Sequence, residues 1–136
     1  MNGMAKAREV RHGVVWIDRN EARIFHLERD LGLRETVRAM KVRAQHKDGH
    51  IRAEDNPPFF ADIAELLRDT KEVLLAGPGP EKVAFHAWLQ RHQPQLAGRV
   101  LEVMAMDHDS NGEIVDAARR FFLRADRMLP AEHRGK

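Results

Sequence analysis

The run Val73-Leu74-Leu75-Ala76-Gly77-Pro78-Gly79-Pro80 passes from one kind of local order to another within eight residues. Its first four residues are continuously apolar, as in a short strand buried on both faces, and the Gly-Pro-Gly-Pro that follows stops the strand and starts a helix. In that helix Ala84, Phe85, Trp88 and Leu89 fit one stripe, and Pro94 and Gly98 close it. Val100-Leu101-Glu102-Val103-Met104 then reads as another strand. A strand, a helix and a strand in that order predict parallel neighbours joined by a helical crossover.

The segments upstream follow a different rule. Val14-Val15-Trp16-Ile17 is β-branched and apolar, Asp18-Arg19-Asn20-Glu21 is a polar turn, and Ala22 to Leu27 reads as a second strand, which together predict an antiparallel hairpin. After Asp30-Leu31-Gly32 a third strand is expected over Leu33 to Val42, with Leu33, Val37 and Ala39 on one side and Arg34, Thr36 and Arg38 on the other. Ala44 to Asn56 lacks apolar periodicity, is rich in charge and contains Gly49, so it reads as a mobile loop. Asn56 offers an N-cap, with Pro57 at the first helical position. The helix that follows sets Phe59, Ile63, Leu66 and Leu67 against Asp62, Glu65 and Asp69.

At the other end, Ser110 and Glu113 form a capping box for a last helix carrying Ile114, Ala117, Ala118, Phe121, Ala125 and Met128. Pro130 ends that helix. The order is β-β-β-loop-α-β-α-β-α, an α/β domain with a mixed five-stranded sheet and a ribonuclease-H-like layout. One domain is expected over 1–136, with its core at 12–128 and flexible stretches at 1–11, 44–56 and 130–136.

Composition bounds the chemistry. The 136 residues hold no cysteine, which excludes disulfides, a cysteine nucleophile and thiolate metal sites. No apolar run approaches the roughly 18–20 residues that span a bilayer, and Met1 to Gly13 is polar and basic without an apolar signal core. A cytoplasmic, bacterial-type protein with no membrane contact is expected. The net charge is only +2, from 23 Lys and Arg against 21 Asp and Glu, but its layout is polar. Arg34, Arg38, Lys41, Arg43, Lys47 and Arg52 face only Glu35 and Asp48 between residues 34 and 52, and the sign reverses from Glu54 to Glu72.

Val14 to Asp18 with Glu21 to Phe25, then V-L-L-A-G-P from Val73 to Pro78 with Gly79, Lys82 and Phe85 beyond, resemble the middle domain of the archaeal and eukaryotic class-1 peptide-chain release factors and Pelota. Asp109-Ser110-Asn111-Gly112 fits the polar last strand-to-helix loop of that family. The likeness covers about residues 12–128 and is strongest to the small, single-domain bacterial branch often labelled "translational machinery protein". It implies a role in translation. In release factors a Gly-Gly-Gln tripeptide sits between the third strand and the next helix; here that stretch has Gln45 preceded by Arg43-Ala44, and the chain has no Gly-Gly pair. Peptidyl-tRNA hydrolysis is therefore not implied, and Pelota, which also lacks the tripeptide, is the better analogue.

Other chemistries are weaker. Asp18 reads as a turn aspartate, and the strand ending at Gly77-Pro78 lacks the second carboxylate that two-metal phosphoryl chemistry needs. Asp107, Asp109, Asn111, Gly112 and Ile114 match part of an EF-hand loop, but its twelfth position is Ala118, and helix capping accounts for the same residues. His46, Asp48, His50, Glu54 and Asp55 cluster on a segment with no register to converge them, while His26, His86, His92, His108 and His133 are scattered. Gly77 to Pro80 could cradle an anion, yet its prolines remove donors, so turn chemistry is the better reading. Arg119, Arg120, Arg124 and Arg127 form a stripe read as helix surface, partly offset by Asp116 and Asp126.

The favoured site is basic. Arg38, Lys41, Arg43, His46, Lys47, His50 and Arg52 are expected to meet RNA phosphates, in ribosome or tRNA, without reading base sequence. No catalytic residue, metal or cofactor is expected. A protein-interaction module or homodimer without a nucleic-acid role is the alternative.

Overall fold

A computed structural model describes residues 10–29, 35–45, 56–107 and 110–128. Five strands and four helices follow in the order β1 (Val10–Ile17), β2 (Glu21–Arg29), β3 (Glu35–Arg43), α1 (Pro57–Leu66), β4 (Glu72–Gly77), α2 (Glu81–His92), α3 (Pro94–Ala97), β5 (Val100–Ala105) and α4 (Asn111–Met128). The sheet order is β3-β2-β1-β4-β5. β1–β2 and β2–β3 pair antiparallel, while β1–β4 and β4–β5 pair parallel. This is the mixed five-stranded α/β sheet expected from the sequence.

Strand alternation divides the core in two. Val15, Ile17, Ala22, Ile24, Val73 and Leu75 face α1 and α2, where Phe59, Phe60, Ile63, Phe85 and Leu89 complete one cluster. Val14, Trp16, Phe25, Leu27, Leu74 and Ala76 face α4 and pack on Ile114, Val115, Ala118 and Phe122. Because β1 and β4 are covered on both faces, they read as unbroken apolar runs.

The expected local signals are present at several joints. Asp18 Oδ1 accepts from the amides of Asn20 and Glu21 at 2.8 and 2.9 Å, closing the hairpin turn. Asn56 Oδ1 accepts from Phe59 N at 3.3 Å, with proline at the start of α1. Ser110 N donates to Glu113 Oε1 at 2.9 Å, and Glu113 N donates to Ser110 Oγ at 3.2 Å. At the strand-to-helix junction Gly77 has φ +155°, and a Cβ there would lie 2.2 Å from the carbonyl oxygen of Ile17. Only glycine lets β4 leave the sheet this close to β1.

Four expectations need correction. The third strand is described over Glu35–Arg43 and ends one residue beyond the expected Val42, while Leu33 and Arg34 fall outside the described residues. Its inward residues are Met40 and Val42, on the side assigned to polar residues, because they cross-pair with Ile24 and Ala22 of the α1-facing core. Pro94 does more than close α2; it begins the short helix α3. On α4 the deepest stripe includes Val115 and Phe122, while Ala117 and Phe121 are only partly buried.

Candidate nucleic-acid interface

β3 is an edge strand, so its outer side has no neighbour among the described strands. Edge strands with charged side chains resist further pairing. Three of the seven expected phosphate-binding residues, Arg38, Lys41 and Arg43, stand on β3 and are exposed. His46, Lys47, His50 and Arg52 lie outside the described residues. The site therefore begins on a strand as well as in the segment that follows it.

The strand separates these three cations. Arg38 pairs in register with His26, and the side chains of β2 and β3 alternate through an unbroken ladder. Arg38 thus lies on the α1 side of the sheet, whereas Lys41 and Arg43, at odd positions, share the α4 side with Arg23 and Glu21. The three were expected to act with the basic loop that follows; on β3 they are divided between the two faces of the sheet.

Their electrostatic states also differ. Arg38 Nη2 lies 3.0 Å from Glu28 Oε2, whose side chain is only 4% exposed. Breaking such a pair strands a buried carboxylate, so Arg38 is committed to the fold. Lys41 Nζ is 3.6 Å from Glu21 Oε1, a long and partly solvated contact of little energetic consequence. Arg43 makes no ion pair among the described residues and is exposed. Of the three, Arg43 is the cation freest to meet an anion.

The sequence reading missed Arg23, which lies directly across from Lys41. Its guanidinium sits 4.4 Å from the Trp16 ring centroid, and Nη1 donates to Asn111 Oδ1 at 3.0 Å. Hairpin register would have found the pairing with Lys41; the contact with α4 required the tertiary fold. Arg119 of the last-helix stripe is likewise engaged, with Nε 2.6 Å from Glu35 Oε1 and Nη1 3.0 Å from Asp116 Oδ1.

Both ends of the segment after β3 are anchored. Ala44 N donates to Asn20 O at 2.9 Å, and buried Asn56 donates from Nδ2 to Gln45 O at 3.1 Å. Ala44, Gln45 and Asn56 were expected to be flexible with the loop; these bonds hold them to the domain. Arg43 consequently stands beside one root of residues 46–55, and Pro57 beside the other.

Behind Arg38, His26 is buried beneath α1, with Nε2 donating to the carbonyl oxygen of Leu66 at 2.7 Å and Nδ1 without a hydrogen-bond partner among the described residues. Burial pushes its pKa below the usual 6.5 and the nearby Arg38 charge adds to that effect, against the opposing Leu66 bond, Glu28 and Asp69. Among the described residues no three histidine, aspartate or glutamate side chains are grouped so as to hold a metal ion. Asp109 and His108 of the EF-hand-like run, and the histidines of 46–50, are outside that set. The Gly77–Pro80 turn directs Lys82 Nζ back onto Gly79 O at 2.6 Å, in keeping with turn chemistry. No described helix is long and apolar enough to cross a membrane.

The chain matches no family model. A protein pelota homolog of Pyrococcus abyssi is 34% identical over 56 residues, 37% of this chain and 16% of that protein. One from Methanocaldococcus jannaschii is 29% identical over 90 residues, covering 65% and 26% respectively. Among solved structures, Archaeoglobus fulgidus Pelota superposes at a TM-score of 0.55 with 21% identity, over 86% of this chain and 33% of that one. The chain thus spans only 16% and 26% of the length of the curated relatives it matches, and 33% of the solved one. Part of its sequence is similar to these archaeal pelota homologs, and its fold is similar to that of a domain-sized part of Archaeoglobus fulgidus Pelota.

Proposed function

We propose that this chain is a non-catalytic, translation-associated domain equivalent to the middle domain of Pelota, contacting ribosomal RNA or tRNA where β3 runs into residues 46–55. The observation that carries the reading is Arg43, an exposed cation beside an anchored root in a Pelota-like domain. Lys41 stands two residues before it on the same side of the sheet, and His46, Lys47, His50 and Arg52 extend the positive charge along the sequence. Such a set binds phosphates through counterion release and confers little base specificity. Without a Gly-Gly-Gln tripeptide the segment lacks the residues with which release factors hydrolyse peptidyl-tRNA. A cytoplasmic setting follows from this role.

Cosedimentation with purified ribosomes and with free tRNA across a salt series tests the proposal. Binding should weaken steeply as salt rises, and the combined Arg43→Ala, Lys47→Ala and Arg52→Ala variant should lose it while keeping the native circular dichroism. Each phosphate contact removed should flatten the log–log salt slope by about 0.7. Arg38 is left intact in this test because its loss would disturb Glu28. Unchanged binding by the triple variant would refute the assignment, and no binding at low salt would redirect the search to protein partners.

A further inference from the structure

The foot of α1 and the last turn of α2 enclose an open groove lined by Pro57, Pro58, Phe60, Ala61, Trp88, Arg91 and His92. It begins at the residue after Asn56, at the root of the 46–55 segment opposite Arg43. None of its lining residues is acidic, and Arg91 carries a positive charge. Trp88 is partly buried against the core yet lines the groove, with Phe60 at 6.0 Å and Phe85 at 6.4 Å between ring centroids. His92 lies 4.9 Å from Trp88 and is exposed, as is Arg91.

We infer that this groove takes an unpaired base of single-stranded RNA, stacked beside Trp88, with the adjoining phosphate met by Arg91. An aromatic ring held by the core presents a π surface at little entropic cost, and base stacking tolerates any base. The Arg91 guanidinium next to that ring complements the phosphate that accompanies a base, a charge that an apolar peptide would not match. The end of α2 also favours Arg91, since its carbonyls stabilise positive charge. The groove lies on the α1–α2 side of the sheet and Arg43 on the α4 side, so the two sites are separate surfaces. This inference rests on the RNA-binding reading for its class of ligand, but it depends on different residues.

The two tryptophans provide the test. Trp16 is 1% exposed and bonded to the Met106 and Asp107 carbonyls, so a quencher in the groove should act on Trp88. A short single-stranded oligouridylate is titrated into the full chain while tryptophan emission is followed. Saturable quenching is expected, with the response abolished in Trp88→Phe. Arg91→Glu, a change at an exposed position, should weaken affinity about tenfold without altering the fold, the loss expected when one stacked-base or charge contact is removed.

The outcomes separate the two readings. Quenching that survives the Arg43, Lys47 and Arg52 substitutions, with ribosome binding unaffected by them, supports the groove and overturns the β3 site. Salt-sensitive ribosome binding that requires Arg43, with no quenching and no effect of Arg91→Glu, overturns the groove and leaves the β3 site standing. Loss of ribosome binding in Arg91→Glu with no response to oligouridylate assigns the groove to a protein partner and overturns the RNA inference. Failure of the native chain to bind either probe overturns both.

Discussion

Replacing Gly77 with alanine puts the path of the chain between β4 and α2 under direct test. The new Cβ would lie 2.2 Å from Ile17 O, against an ordinary carbon–oxygen approach of about 3.3–3.6 Å. The obstacle is backbone in the central pair β1–β4, so no side-chain rotation relieves it. Holding alanine at φ +155° adds about 1–3 kcal/mol of strain. Separating the strands also draws Gly77 O from its 3.0 Å bond with Met106 N, worth about 0.5–1.5 kcal/mol. Together these come to about 1.5–4.5 kcal/mol, a large share of the roughly 5–15 kcal/mol that stabilises a domain. For 136 residues this is a fall in Tm of roughly 10 °C. Urea unfolding followed by circular dichroism measures it, with Gly112→Ala as the control, because a Cβ at Gly112 meets only Ser110 Oγ at 4.0 Å. A Gly77→Ala protein within about 1 kcal/mol of the parent would refute the reasoning, since the strain alone should reach that value.

Other perturbations isolate single contacts. Asn56→Ala should cost about 2–3 kcal/mol through loss of the α1 cap and the link to Gln45, while Asn56→Asp keeps the accepting oxygen and should cost about 1 kcal/mol, both read from urea midpoints. Arg38→Ala leaves the Glu28 carboxylate unpaired and should cost about 1–2 kcal/mol, whereas Arg43→Ala should stay within about 0.5 kcal/mol; equal losses in thermal unfolding would contradict the distinction drawn between them. His26 has a lowered folded pKa, so on acidification the unfolded chain takes up its proton first. Its contribution is complete above about 6.5 and is lost as the pH falls from there through the lower folded value. His26→Gln should flatten the stability profile over that range, and an unchanged slope would place the acid sensitivity elsewhere.

The parts of the fold that were legible in the sequence have one local cause each. Val14–Ile17 and Val73–Ala76 could only be buried strands, and Asn56, Pro57, Ser110 and Glu113 carry capping chemistry that works within four residues of itself. β3 was harder because an edge strand is solvated along much of its surface. Its Val37 and Ala39 suggested one inward face while Met40 and Val42 supplied the other. Pro94 was read as a stop because a proline ends one helix by the same property that lets it begin the next. At the candidate site, the charge of Arg38, Lys41 and Arg43 was evident from composition, but their inequality was not. It depends on Glu28 and Glu21, which lie ten or more residues away along the chain and adjacent only across the ladder. Trp88 fitted a core stripe, and nothing in its spacing showed that the same ring borders a cationic groove.

The bond from Asn56 to the carbonyl of Gln45 sets how freely the intervening ten residues can change over evolution or by design. With both ends fixed to the domain, the entropic cost of joining them grows only as the logarithm of length, about 0.6 kcal/mol for each doubling. Sequences of other lengths and charges can therefore be grafted between the two anchors with little demand on the sheet or α1. Under the proposed function, the residues that would bind and those that hold the fold are then largely separate, and a new tip could be fitted without the platform having to refold around it.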